Sequence, residues 1–325
     1  MRKLSFLCFL FAGPALAQTF DLEQFDQLFR PRLRLDARWT PGVPLVDTPG
    51  KYEDRSAVGV FTFPVYKRWS ANVQLDLSGQ SWKDLLKNSV RVKASQVMGN
   101  VRIGTRQLTL GDAGVPRLFH TASIGALGIS LTKKYRVLFW SASVNGSEED
   151  ATLDEMVPRI SGVIGKLHIN GLRKQFYYGL VAVYSDGFAL PLPFLGGQVP
   201  LGDEWSFQYT LPAQVAFGWR PQRDLRLQVG AGLDGWRSGA DPGGTDERTN
   251  LNYRAVRVFV NMRKRLSDRW QLRAELGYAR HDLRVTVAEG EFAKIDLRPG
   301  ITASVGVNLL FGESTLERLM DEVLK

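Results

Sequence analysis

Three histidines, His120, His168 and His281, are the chain's whole stock of imidazole, and its one cysteine, Cys8, lies in an apolar N-terminal run. A histidine and a serine two residues apart on one strand share a face, which lets the imidazole reach the hydroxyl as a nucleophile needs. No His-x-Ser occurs. His120 has Ser123 three residues on, which in a regular strand points the other way and which only a bulge would realign. His281 is followed directly by Asp282, but neighbouring strand residues face opposite ways, and position 279, where a same-face acid would sit, is Ala279. The His281-Asp282 dipeptide therefore reads as a strand end. His168 alternates with Lys166 and reads as an inward-facing polar residue. Glu148, Glu149 and Asp150, with Asp154 and Glu155, are acidic enough to attract Ca²⁺ or Mg²⁺, yet they lack EF-hand spacing and read as a solvated run. With no Cys-based metal motif and no GxGxxG before a helix, the expectation is a protein that is not an enzyme and holds no cofactor.

The remaining chemistry is charge. Lys and Arg number 42 against 33 Asp and Glu. Arg32, Arg34, Arg38, Arg91, Lys93, Arg226, Arg257, Arg263 and Arg273 each fall on the polar side of a segment that alternates polar and apolar residues, with Asp36, Asp234 and Glu275 among them. Charges placed singly on alternating strands do not build the contiguous patch that nucleic acid needs, so no nucleic-acid partner is expected.

What positions these arginines is a period of two. Leu33, Leu35, Ala37 and Trp39 oppose Arg32, Arg34, Asp36 and Arg38; Leu225, Leu227, Val229, Ala231 and Leu233 oppose Arg226, Gln228, Gly230, Gly232 and Asp234; Trp69, Ala71, Val73, Leu75 and Leu77 alternate with polar residues; and Trp270, Leu272, Ala274 and Leu276 oppose Gln271, Arg273 and Glu275. A soluble sandwich with one wet face would alternate equally well. The ends of the chain favour a membrane barrel instead. Arg2 and Lys3 precede an apolar run from Leu4 to Ala12, and Ala15-Leu16-Ala17 supplies the small residues of a secretory cleavage site, so residues 1–17 read as a signal peptide. Near the other end, ASVGVNLLF puts Ala303, Val305, Val307, Leu309 and Phe311 on one face, and Ser304, Gly306, Leu309 and Phe311 are similar to the closing signal of outer-membrane barrels. No later stretch approaches the roughly 18 apolar residues of a spanning helix. A membrane crossing must then use strands closed on themselves, because hydrocarbon leaves no partner for an open edge.

The turns carry a recurring pattern: Val65-Tyr66-Lys67-Arg68-Trp69, Leu131-Thr132-Lys133-Lys134-Tyr135, Leu201-Gly202-Asp203-Glu204-Trp205 and Leu266-Ser267-Asp268-Arg269-Trp270. An aromatic follows each charged turn, which predicts an interfacial girdle of Trp69, Tyr135, Trp205 and Trp270. Further tight turns are expected at Gly99-Asn100, Asn170-Gly171 and Pro221 to Asp224, and long outer connections at Thr40 to Asp54, Asn145 to Met156 and Arg237 to Asn250. Pro212 either separates two short strands or bulges one. The expected architecture is an all-β, closed antiparallel transmembrane β-barrel of 12 to 16 strands, an even number, over residues 31–311. A helical or irregular segment over 18–30 precedes it. A short C-terminal amphipathic helix over 312–325 follows, with capping-box spacing at Ser314 and Glu317.

With these turns, the segment LPFLGGQVPLGDEWSFQYTLP from Leu192 to Pro212 and the Gly-rich strand Gln228 to Gly235, the chain resembles the uncharacterised outer-membrane β-barrel proteins of Gram-negative bacteria grouped under a domain of unknown function. The resemblance implies a porin-like barrel in the outer membrane and brings no activity or catalytic residues. Its expected partners are outer-membrane lipid and lipopolysaccharide, the barrel-assembly machinery, and a periplasmic partner for the C-terminal helix. An arginine-rich lumen would favour a passive pore or transporter for small polar or anionic solutes. The alternatives are a structural or surface-binding barrel whose charges pair across the wall, and a lipid-modifying outer-membrane enzyme.

Overall fold

The computed structural model describes residues 30–47, 49–73, 90–111, 116–132, 136–149, 158–169, 174–185, 188–240, 249–286 and 292–311. The expected signal peptide, the segment 18–29 and the C-terminal helix lie outside them. Fifteen strands account for nearly all of the described chain: β1 (Arg32–Pro44), β2 (Lys51–Val73), β3 (Val90–Gly111), β4 (Pro116–Thr132), β5 (Arg136–Glu149), β6 (Arg159–Ile169), β7 (Gln175–Ser185) and β8 (Phe188–Pro200). Then follow β9 (Trp205–Leu211), β10 (Gln214–Trp219), β11 (Leu225–Ala240), β12 (Thr249–Arg265), β13 (Trp270–Thr286), β14 (Phe292–Asp296) and β15 (Gly300–Leu310). Among the described residues no helix is long and apolar enough to cross a membrane, which says nothing of strands.

From β1 to β14 each strand pairs antiparallel with the next in sequence, and β15 pairs with both β13 and β1. The sheet is thereby closed. β14 and β15 both lie along β13 and form one wall strand interrupted at Leu297 to Pro299, so the ring has 14 strands. The closing seam runs from Arg32↔Leu310 to Trp39↔Ala303, and beyond it the Phe311 amide donates to the Pro31 carbonyl at 2.8 Å.

Alternation sorts the side chains. Leu35, Phe61, Ile103, Ile124, Ile164, Leu180, Val229, Val258, Leu276 and Val305 face outward and are exposed, while Thr40, Tyr52, Met98, Leu108, Phe119, Tyr177, Gln208 and Thr302 face inward and are buried. Apolar outside and mixed inside is the inverse of a soluble protein. In the closing strand Ser304 and Gly306 share the inward face with Thr302 and Asn308, and Leu309 and Phe311 share the outward face with Val305.

Several expected turns are strand. Val65 to Trp69 runs within β2, because β2 and β3 continue beyond the end of β1; the register shift between Pro64 and Tyr66 absorbs the proline, which has no N–H to give. Gly99-Asn100 lies within β3, where the Phe63 ring covers Gly99. The long connections are shorter than expected, with β1 reaching Pro44, β5 reaching Glu149 and β11 reaching Ala240. The turns Leu201 to Glu204, Pro221 to Asp224 and Leu266 to Arg269 do separate strands. Gly202 takes the first of these through φ +126°, where any Cβ would be strained. Pro212 lies between the two short strands β9 and β10.

Candidate functional site in the barrel interior

The inward face has two chemically distinct walls. On β1, β3, β11, β12 and β13 it carries Arg32, Arg34, Arg38, Arg102, Arg106, Arg226, Arg257, Arg263 and Arg273 with Asp36, Asp234 and Glu275, and β2 adds Asp54. On β4 to β10 it carries Val137, Phe139, Leu167, Tyr177, Val181, Phe194 and Ala213 in one apolar cluster, joined by Ile129, Val163 and Leu192. Among the neutral polar residues of that wall, Ser143 and Ser161 are hydrogen bonded at 2.7 Å.

Most carboxylates are held by guanidinium groups. Asp36 accepts from Nε of Arg34 at 2.5 Å and lies 4.0 Å from Arg273. Asp234 accepts from Arg38, which reaches it from β1 across the interior, and Arg257 stands 3.9 Å away. Arg257 also pairs with Glu275, whose second oxygen accepts from Asn261 at 3.2 Å. Asp54 accepts from Arg106 at 3.0 Å and from the Tyr52 hydroxyl at 3.2 Å. Arg102 is the exception: it is exposed within the interior and makes no hydrogen bond or ion pair among the described residues.

The half of the interior away from the Arg32–Leu310 rim is pinched by rings. Tyr52 of β2 stacks on Tyr253 of β12 with centroids 5.8 Å apart, Phe119 of β4 meets Trp236 of β11 at 6.4 Å, and the Arg106 guanidinium lies 4.2 Å from the Trp236 ring centroid. Leu108, Leu251, Leu283 and Leu297 pack around these rings. Ser147 of β5 and Ser238 of β11, on facing walls, are hydrogen bonded at 2.8 Å.

Of the arginines singled out by sequence, Arg32, Arg34, Arg38, Arg226, Arg257, Arg263 and Arg273 lie on the inward face. The side chains of Arg91 and Lys93 lie outside the described residues. Trp205 and Trp270 are outward and half exposed, and Trp205 stacks on Trp219 with centroids 5.6 Å apart. The side chain of Trp69, and Tyr135 altogether, lie outside the described residues. Sequence reasoning passed over Arg102 and Arg106, although both belong to the even-numbered polar series of β3; the expected turn at Gly99-Asn100 had broken that series.

The histidines need correction. His168 is outward, with Ile164 and Lys166, and stacks on the exposed Tyr178 ring at 5.7 Å. Its neighbour on the inward face is Leu167, 1% exposed, so the apolar wall takes the inward register. His281 is not at a strand end but within β13, inward, sharing a 2.7 Å hydrogen bond with the Tyr253 hydroxyl, while Asp282 faces outward and pairs with Arg284. His120 and Ser123 fall on opposite faces, as the unbroken β3–β4 and β4–β5 registers require. Glu149 pairs with Arg117, and Asp150, Asp154 and Glu155 lie outside the described residues.

No family model matches the chain, and no curated protein matches it. Solved structures of outer-membrane β-barrels are similar to it in outline. An outer membrane channel from Pseudomonas putida F1 matches at 10% identity over 87% of this chain and 96% of that one, with a TM-score of 0.42. The β domain of the Bordetella autotransporter BrkA matches at 10% identity over 87% and 99%, with a TM-score of 0.38. The translocator domain of the autotransporter NalP from Neisseria meningitidis matches at 11% identity over 87% and 88%, with a TM-score of 0.32.

Proposed function

We propose that this protein is a channel of the outer membrane that prefers anions and rests in a pinched state. The membrane placement is supported by the exposed aliphatic belt and by outward Trp205, Trp219 and Trp270 near the rim where Arg32 meets Leu310, an arrangement that suits lipid rather than water. By that reading the Arg32–Leu310 rim faces the periplasm. The observation that carries the channel reading is Arg102, an exposed guanidinium aimed into an interior where arginines outnumber carboxylates and the carboxylates are already engaged. Fixed positive charge of this kind lowers the barrier for anions.

Arg34 and Arg38 are neutralised by Asp36 and Asp234, so they are poor reporters of selectivity. Arg102→Glu is the informative change. In a planar bilayer across a KCl gradient, the wild type should open in steps with an anion-selective reversal potential, and Arg102→Glu should move that potential toward cations. Unchanged selectivity would remove Arg102 from the pathway. A structural barrel is favoured by the ring pinch alone, and silence from folded protein would decide for it. A lipid-modifying role finds no support in His120 and Ser123, which cannot cooperate from opposite faces. Lipopolysaccharide, assembly machinery and a periplasmic partner remain part of this proposal.

A further inference from the structure

The β9–β10 hairpin is too short for the wall it belongs to. β9 and β10 have 7 and 6 residues, whereas the flanking β8 and β11 have 13 and 16. β8 pairs with β9 only from Leu195 to Pro200, and β11 pairs with β10 only as far as Gly232, with one further bond from the Leu233 amide to the Ala213 carbonyl at 2.8 Å. Beyond the hairpin, Phe188 to Phe194 and Asp234 to Ala240 have no strand partner on the hairpin's side among the described residues.

Both free edges are finished as edges. On β8, Pro191 and Pro193 stand opposite Ala182 and Leu180 in an unbroken ladder with β7. Proline cannot donate to that ladder, so its bonds come from the intervening residues and the proline nitrogens face the open side, where two N–H groups are thereby removed. On β11, the Leu233 bond shows that odd-numbered residues present their amides to this side. The next such amide, Gly235, donates to Oδ1 of Asp234 at 2.8 Å, and the Ser238 hydroxyl donates to the Gly239 carbonyl at 3.2 Å. Side chains take the place of a missing strand. The Ser147–Ser238 bond ties this part of β11 to β5 rather than to β8.

Seven residues rise about 23 Å along a strand, which at the usual barrel tilt is about 18 Å of membrane depth, less than the roughly 25 Å apolar band. The hairpin tip at Leu211 to Ala213 therefore ends inside the outer leaflet. Directly behind the gap stand Leu192, Phe194 and Ala213, continuous with Phe139, Tyr177 and Val181 in the apolar cluster.

We propose that the gap between β8 and β11 above the β9–β10 hairpin is a lateral window through which an apolar small molecule passes between the outer leaflet and the apolar half of the barrel interior. This rests on the membrane placement and orientation proposed above. The open edge costs less there because two of its N–H groups are replaced by proline and the Gly235 amide and Gly239 carbonyl are capped, and the apolar cluster gives such a solute a surface that the arginine wall does not.

The test is binding of N-phenyl-1-naphthylamine to refolded protein in lipid vesicles, followed by its fluorescence, alongside KCl conductance. Saturable binding that falls about tenfold in Phe194→Arg and Ala213→Trp supports the window. Equal binding in wild type and both variants, or no saturable binding, overturns it, and if KCl conductance persists the channel reading stands without the window. Probe binding that obeys the variants in a protein that never conducts keeps the window and removes the channel. Should either variant fail to fold, spin labels at Leu192→Cys and Ser143→Cys in a Cys8→Ser background give an independent reading. Position 192 should be reached by oxygen from the bilayer and position 143 should not; equal protection of both overturns the proposal.

Discussion

Asp234 is held by three partners in the interior. It receives Arg38 from across the barrel, lies beside Arg257 and accepts the Gly235 amide, with a side chain 15% exposed. Removing one partner of such a group leaves uncompensated charge in a poorly solvated place. Asp234→Asn keeps an acceptor for Gly235 while deleting the charge, so its effect isolates the arginines. We expect a loss of about 3 kcal/mol in urea unfolding of the lipid-reconstituted protein, the low end for a buried pair because the site is partly wet. At this scale the sequence was legible in kind and blind in pairing. The alternation of β1, β11, β12 and β13 put Arg38, Asp234 and Arg257 on polar faces. Which arginine meets which acid depends on the distance across a closed ring, and no local pattern encodes that.

Elements are fitted to one another by rings laid over glycines. The Tyr177 ring lies over Gly196 of the adjacent β8 and carries its hydroxyl on to Thr210 of β9, and Trp140 covers Gly128 on the outward face. A Cβ at Gly196 would stand 2.1 Å from the Tyr177 ring. Gly196→Val should therefore cost about 2 kcal/mol by overpacking, read as a lowered urea midpoint with unchanged slope, and Tyr177→Ala in the same chain should recover part of it. The same device explains a misreading: Gly99 looks like a turn residue in sequence, but here glycine makes room for Phe63 rather than bending the chain. The period of two revealed most strands, and Pro212 left two short strands or one bulged strand open, which the structure resolves as two, yet the lengths of β2 and β3 were hidden because Pro64 and the charged pair Lys67-Arg68 imitate a turn.

For the whole molecule, closure was legible from outward faces that alternate from β1 to β15 and from the closing strand, while the pinch was not, since Tyr52 and Tyr253 meet from distant parts of the chain. Trp236 is the hub of that pinch, touching Phe119, Tyr253 and Arg106. Trp236→Ala should increase the frequency or size of KCl openings in a planar bilayer with selectivity retained; unchanged openings would show that ions take a path beside the rings.

The seam between β1 and β15 also bears on how chain order relates to shape. Because the Phe311 amide already reaches the Pro31 carbonyl, the two ends of the wall meet at one rim, and the ring contains no privileged starting strand. A short peptide joining them, with new termini cut elsewhere, would leave every strand pairing intact. The barrel is in this sense a cyclic object written as a line, and circular permutants should differ from the parent in the route by which they assemble rather than in the form they reach.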